Sequence, residues 1–319
     1  MARCSGFFAC MVFLSVYTGR IVAAQGGKAR EHTMLPSSYS IKADIFTKPF
    51  LKWAGGKYRI ISKIARYFPS VQNFVEPFSG SAAAYLAINA KQALVCDTNN
   101  DIIALYKAVQ HLGSAFIPYC QSFFCPANNT QEAFCSLRAR FNALPPSAER
   151  AALFLYLNRH AYNGLVRYNS KGQYNVSFGK YKKPYFPHRE MCAFWKKTQE
   201  TETRFLCQDF KKTFAMVPVG AHVYCDPPYV PLSATANFTS YSGSTFTLRE
   251  HQELALAAQA CSAAGSTVLL SNHDTALVRS LYTHARLESF DVQRSISCLG
   301  AHRHIVPELL ALYPATKAG

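Results

Sequence analysis

Asp226-Pro227-Pro228-Tyr229 directly follows the apolar run His222-Val223-Tyr224-Cys225. The pattern reads as a strand that stops at a carboxylate, two prolines and an aromatic ring. Proline fixes φ and donates no backbone hydrogen bond. A double proline therefore ends the strand and leaves nearby carbonyls free to accept. A carboxylate and a carbonyl can both accept from the exocyclic amine of a planar base, while a ring stacks on the base face. An Asp-Pro-Pro turn also occurs as plain strand punctuation, so the chemistry depends on what the rest of the chain places beside it.

Other carboxylates stand at comparable points. Asn73-Phe74-Val75-Glu76-Pro77 reads as a short strand ending in Glu76. Phe78-Ser79-Gly80-Ser81-Ala82 and a helical run over residues 83–88 follow, then the strand Ala93-Leu94-Val95-Cys96-Asp97. Such a β-loop-α-β unit implies a parallel sheet with a ligand at the strand ends. Asp97 comes 21 positions after Glu76 (97 − 76). An acidic residue about 20 positions beyond the loop commonly holds ribose hydroxyls. The loop has Gly80 alone, so a diphosphate cradle is absent and a nucleoside cofactor without a diphosphate fits better. Arg204-Phe205-Leu206-Cys207 with Gln208-Asp209 predicts another strand ending in a carboxylate. Thr247-Leu248-Arg249-Glu250 is a capping box opening a helix to about residue 264. A strand over residues 266–270 then leads to Ser271-Asn272-His273-Asp274. Strand ends at Glu76, Asp97, Asp209 and Asp226, with a fifth leading to Asn272, predict an open α/β fold whose site lies at the carboxyl edge of the sheet.

Residues 101–187 change character. Helical patterns give way to Tyr162-Asn163-Gly164-Leu165-Val166-Arg167-Tyr168-Asn169 and then Phe178-Gly179-Lys180-Tyr181-Lys182-Lys183-Pro184-Tyr185. Aromatics interleaved with Arg, Lys and Asn are what base-edge readout and stacking require. The net charge of +16 and pI near 9.4 favour a polyanionic partner, nucleic acid before an anionic membrane surface. The 319 residues, 49% hydrophobic, suffice for one large domain or two ordinary ones.

The 11 cysteines include no Cys-x-x-Cys pair, and Cys120, Cys125 and Cys135 fit no common zinc spacing, so reduced thiols and no metal site are expected. No apolar run approaches the roughly 20 residues of a spanning helix, and no membrane partner is expected. Residues 1–24 look like a secretory signal, with Arg3 before an apolar stretch and Val22-Ala23-Ala24 as a cleavage-like site. That conflicts with the scattered cysteines. The expectation is an upstream extension over residues 1–49, with Met34 as an alternative start and a cytoplasmic protein.

Five segments in order resemble one family: Phe50-Leu51-Lys52-Trp53-Ala54-Gly55-Gly56-Lys57, Phe74-Val75-Glu76-Pro77-Phe78-Ser79-Gly80, the two central loop segments above, Val223-Tyr224-Cys225-Asp226-Pro227-Pro228-Tyr229 with residues 231–238, and Ser271-Asn272-His273-Asp274-Thr275. From about Phe50 to Tyr313 the chain resembles the bacterial DNA adenine methyltransferases of the Dam type. The resemblance implies a Rossmann-like S-adenosylmethionine-dependent methyltransferase sheet, residues 50–100 and 188–319, with an inserted, mainly helical DNA-recognition domain over residues 101–187. It implies methyl transfer from S-adenosylmethionine to the N6 amine of adenine in double-stranded GATC after base flipping, by a monomer that needs no metal.

Carried over position by position, the resemblance puts Trp53, Lys57, Glu76, Phe78 and Gly80 at the cofactor pocket, Asp97 on the cofactor ribose and Asp209 near its adenine. Asp226, Pro227, Pro228 and Tyr229 match the catalytic tetrapeptide, with Asp226 also beside the cofactor. Tyr162 resembles the ring that enters the duplex, and Asn163 a partner for the disturbed bases. Leu165 and Arg167 resemble readers of the outer bases, and Lys52 and Tyr181 further DNA contacts. Ala82 stands where the family usually has a second glycine, and Cys298-Leu299-Gly300-Ala301-His302-Arg303-His304 is less basic than the usual pattern. Competing readings are an RNA or protein-amide methyltransferase, a modification enzyme paired with a restriction nuclease, and a cofactor-gated DNA-binding protein without turnover.

Overall fold

In the computed structural model, residues 46–230, 246–293 and 305–316 are described. Residues 1–45 of the expected extension, the 231–238 segment and the 298–304 segment lie outside them.

The strands expected from the apolar runs are present, in a seven-stranded sheet among the described residues. They are β1 (Val71–Glu76), β2 (Ala90–Asp97), β3 (Glu202–Cys207), β4 (His222–Cys225), β5 (Thr267–His273), β6 (Arg286–Gln293) and β7 (Ile305–Tyr313). Their spatial order is β3-β2-β1-β4-β5-β7-β6, with β7 antiparallel to both β5 and β6 and the β3-to-β5 pairs parallel. The order reverses direction between β1 and β4, and a ligand crevice opens at the carboxyl ends of strands on either side of such a switch point. Glu76 ends one of these strands and Asp226 follows the other.

Alternation along each strand sends side chains to two faces. Phe74, Val95, Phe205, Tyr224, Leu269 and Leu310 join one apolar cluster, while Val75, Leu94, Cys96, Val223, Cys225, Val268 and Leu270 join another. The second is closed by α7 (Phe210–Phe214), α8 (Leu248–Ala263) and α9 (Ala276–Leu281), through Phe210, Leu254, Ala258 and Val278. The first is closed by α1 (Ile61–Ala65), α2 (Ala83–Ala87), α3 (Asn100–Ser122), α5 (Ala148–His160) and α6 (His188–Glu200). With α4 (Gln131–Ala143), these include the helices expected over 101–187, and they share one continuous core with the sheet. Phe50, Tyr106 and Phe194 meet there with ring centroids 4.9–5.8 Å apart, tying the first motif to α3 and α6.

Two boundaries differ from the sequence reading. The strand expected to end at Asp209 stops at Cys207, and Asp209 instead caps α7, its carboxylate accepting from Lys211 N at 2.8 Å. Asp is a strong N-cap former, so the helix claims it. The strand expected to end at Leu270 runs to His273 because β7 pairs alongside, matching Ser271 to Leu310 and His273 to Glu308. The capping box at Thr247 and Glu250 forms as expected.

Candidate active site and nucleic-acid interface

Asp226 stands half-buried just past β4. Its Oδ1 accepts from two directions. Lys57 Nζ lies 2.9 Å away and Ser271 Oγ donates at 2.8 Å. Lys57 is held in turn by donating to the Gly55 carbonyl at 2.6 Å. Ser271 lies beside the site because β5 runs parallel to β4 with Leu270 opposite Cys225. With Oδ1 so occupied, Oδ2 is the oxygen left to receive a ligand.

Pro227 is buried and Pro228 exposed. Tyr229 lies against the His273 ring, centroids 4.7 Å apart at 83°, and its hydroxyl donates to Glu308 Oε2 at 3.3 Å. The Lys57 ammonium sits 4.5 Å from the Tyr229 ring centroid. Carboxylate, cation and ring therefore converge on one point. Lys57 was placed at the cofactor pocket by resemblance; the structure sets it against the tetrapeptide.

Behind this point lies the turn after β1. Gly80 has φ +44, a left-handed conformation natural to glycine. A Cβ there would lie 2.6 Å from Trp53 Nε1. The Gly80 N–H donates to Asp97 Oδ2 at 2.9 Å, and its carbonyl accepts from the Tyr106 hydroxyl at 2.5 Å. The buried Ser79 hydroxyl has no hydrogen-bond partner among the described residues. Phe78 stacks on Phe210 at 5.6 Å and meets Phe246 edge-on. Ala82, where a second glycine was expected, takes φ +58. That is a strained setting for a side chain.

Asp97 still has acceptor capacity, since a carboxylate offers about four lone-pair sites and here takes N–H groups from Gly80, Asn99 and Thr98. A glycine pressed against an indole, an orphaned hydroxyl, a strand-end carboxylate and an aromatic stack fit a nucleoside-bearing ligand without a diphosphate. Gly80→Ala is expected to weaken binding of such a ligand at least tenfold, because the added carbon displaces Trp53 and strains the turn by about 1–2 kcal/mol. Equilibrium titration of S-adenosylmethionine by calorimetry checks this; unchanged affinity would contradict the assignment.

Glu76 is buried at the end of β1 and accepts from Tyr85 N at 3.1 Å. Desolvation first, then the charges of Asp226 and Asp97, pushes its carboxyl well above the ordinary range. A raised carboxyl pKa means that the folded state holds a proton which the unfolded chain releases above about pH 4.5. Stability from this group therefore falls as pH rises from there toward the folded-state value. Glu76→Gln is expected to remove that loss. Its melting temperature relative to the parent should climb between pH 5 and pH 8, and a constant or falling difference would refute the burial argument.

The DNA-facing candidates gather on another region. The loop after α5 is a hairpin closed by bridges between Ala161 and Phe178 and between Tyr168 and Tyr174. Tyr162 is 57% exposed, and Asn163 beside it is exposed at φ +53. Leu165 and Arg167 are half-buried. Arg167 Nε donates to Asn175 Oδ1 at 2.8 Å and Nη2 to the Asn175 carbonyl at 3.2 Å, which aims the fork. The Lys52 ammonium rests 4.0 Å from the Tyr181 ring centroid. Burial, with Arg159 nearby, lowers the Lys52 pKa. Buried Asn158 fixes Lys52 through both its backbone groups and also donates to the Gly164 carbonyl. Lys52 and Trp53 are chain neighbours, so one short segment touches both regions. Asp209 caps α7, and its neighbours Gln208 and Phe210 meet the Asp97 carbonyl and the Phe78 ring.

Sequence reasoning missed several supports. Ser271 was quoted in a motif without a role; its signal was a hydroxyl at a strand end beside Asp226. Asn175, Asn158 and Phe210 carried no local pattern, because their roles arise from contacts across the fold. Among the described residues, no group of three or more His, Cys, Asp or Glu side chains is arranged to hold a metal, and no helix is long and apolar enough to cross a membrane.

Comparison with known proteins bears on this arrangement. The family model described as D12 class N6 adenine-specific DNA methyltransferase matches residues 53–296. The DNA adenine methylase of Vibrio cholerae is 43% identical over 267 residues, spanning 83% of this chain and 96% of that protein. The DNA adenine methylase of Escherichia coli K12 is 44% identical over 266 residues, spanning 83% and 95%. That of Serratia marcescens is 44% identical over 267 residues, spanning 83% and 98%.

Proposed function

Because the chain belongs to the D12 class of N6 adenine-specific DNA methyltransferases, we propose that it modifies the adenine of double-stranded GATC after flipping that base out of the helix. Adenine-N6 DNA methylation follows from the family; the target sequence, the flip and the residue roles are proposed. The observation that carries it is Asp226, set at the switch point with Oδ1 held by Lys57 and Ser271.

An exocyclic amine is a poor nucleophile because its lone pair is delocalised into the ring. A site can favour the geometry in which that lone pair points at the methyl donor. Asp226 Oδ2 and a carbonyl of Pro227 or Pro228 accept from the two amine hydrogens. Both bonds strengthen as positive charge develops on nitrogen, so they lower the barrier selectively. Tyr229, braced by His273 and Glu308, stacks on the flipped base. Stacking contributes about 1–3 kcal/mol against a flipping cost of a few kcal/mol. S-adenosylmethionine supplies an activated methyl group, and Trp53, Phe78, Gly80 and Asp97, with Glu76 behind them, are the residues that would hold it. No metal enters this scheme.

Residues 101–187 serve as the recognition domain, with residues 50–100 and 188–319 as the catalytic domain. Tyr162 enters the duplex, Asn163 pairs with the disturbed bases, and Leu165, Arg167, Lys52 and Tyr181 read or contact the site. The protein acts as a monomer on chromosomal DNA in the cytoplasm, and the mark serves mismatch-repair strand choice, replication timing and gene regulation. The test is a set of duplexes carrying 2-aminopurine at the GATC adenine or one position away. A fluorescence rise confined to the target position supports flipping at GATC. Equal signals at both positions, or none while DNA is bound, would overturn it.

A further inference from the structure

We infer that Tyr168, clamped by Asp101 and Arg150, is a positioning residue that fixes the aim of Arg167 relative to the strand end carrying Asp97; this rests on the reading of residues 162–169 as the base reader. The Arg167 fork is held by Asn175, on the opposite limb of the hairpin. Backbone bonds join the limbs at this level, with Asn175 N donating to the Arg167 carbonyl at 3.1 Å and Asn169 N to the Gln173 carbonyl at 2.9 Å. The aim of the fork therefore follows the placement of the whole hairpin on the helices beneath it.

Tyr168 anchors that placement. Its hydroxyl donates to Asp101 Oδ2 at 2.7 Å, and its ring meets Tyr174 edge-on at 6.0 Å. Asp101 is 7% exposed and lies in the first turn of α3. Arg150 grips it with Nε at 2.8 Å from Oδ1 and Nη2 at 3.2 Å from Oδ2. Arg150 Nη1 also donates to the Phe141 and Leu144 carbonyls, at 2.7 and 2.9 Å, which fixes the end of α4. A two-pronged guanidinium–carboxylate pair is directional as well as strong, so Asp101 offers Tyr168 an acceptor of fixed orientation.

The same turn reaches back to β2. Asn99 caps α3 by accepting from Asp101 N at 3.0 Å and Ile102 N at 3.2 Å, while its own N–H donates to Asp97 Oδ1 at 2.9 Å. Asp97, Asn99, Asp101, Tyr168 and Arg167 thus form a continuous run of hydrogen bonds and adjacent residues. The hairpin has other supports: Asn142 holds the Tyr174 backbone, and Arg138 holds the Val176 carbonyl. These attach it to α4. Tyr168 attaches it to the start of α3, next to the proposed cofactor strand.

Tyr168→Phe tests the inference, because it removes one hydroxyl and keeps the ring against Tyr174. The readout is kcat/KM on a GATC duplex against a duplex with one outer base pair changed. It is measured for the parent, Tyr168→Phe, Arg167→Ala and the double variant, with melting temperatures alongside. The expected result is a discrimination ratio lowered about tenfold, part of the hundredfold that a misplacement of about 1 Å can cost. In the Arg167→Ala background the same change should leave the ratio unmoved. Equal losses on both duplexes, or a further drop in the double variant, would overturn the positioning role. If Arg167→Ala relaxes discrimination and Tyr168→Phe does not, this inference fails alone. If Arg167→Ala leaves discrimination intact, the reader assignment fails and takes this inference with it.

Discussion

Asp226→Ala is expected to lower methyl transfer to duplex DNA by at least a thousandfold while leaving the affinity for DNA within a few-fold of the parent. A preorganised acceptor aimed at developing charge is worth about 2.7–4 kcal/mol by analogy with single oxyanion-hole donors, and removal of one costs about 10²–10³ in kcat. Asp226 also orients the nucleophile, so the loss should exceed that range. The fold should survive the change, because Asp226 is only half-buried and lies past the end of β4 rather than within the sheet. The substitution leaves Lys57 buried without its carboxylate. Asp226→Asn is therefore the companion variant: it keeps the volume and an acceptor for Ser271, yet supplies a neutral acceptor where a charged one is needed. Both should fail in single-turnover transfer and still bind DNA in a fluorescence anisotropy assay. Retention of more than about a tenth of the parental rate by Asp226→Ala would remove Asp226 from the mechanism.

The second large effect belongs to Arg167. Its fork is aimed by Asn175, and it stands half-buried on the hairpin that follows Tyr162. A bidentate contact to a base edge is worth about 1–3 kcal/mol of discrimination, or roughly 5- to 150-fold in kcat/KM. Arg167→Ala should lose that factor on the GATC duplex and little on the duplex already mismatched at the position it reads. A lysine cannot reproduce the planar fork, so Arg167→Lys should resemble the alanine variant in discrimination while keeping the salt dependence of binding. A uniform loss on every duplex would make Arg167 a phosphate contact instead.

The strands were legible because hydrophobic runs of fixed length end at polar residues, and β1, β2 and β4 obey that rule closely. Asp226 was readable for a related reason: the double proline marks a strand end by its own covalent limits. Reading failed where two uses of one residue compete. Asp209 could end a strand or cap a helix, and the following α7 decides for the cap. The length of β5 depended on β7, about 40 residues later in the chain, and no local pattern announces such a partner.

The candidate site was legible as residue types but not as contacts. Lys57 and Asp226 lie 169 positions apart (226 − 57) yet form one ion pair. Ser271 completes that group from β5. The pairing of Arg167 with Asn175 was hidden because it depends on the register of a hairpin rather than on spacing along a helix. Gly80 was recognised as a loop glycine, but the reason that position requires glycine is Trp53, which approaches from the first motif.

The most direct measurement incubates the protein with S-adenosylmethionine and genomic DNA free of methylated bases, then maps every new methyl group by position and base. The expected result is N6-methyladenine at GATC on both strands and at no other tetranucleotide above background. Methyl groups on cytosine, or on adenines without regard to the flanking GATC, would contradict it.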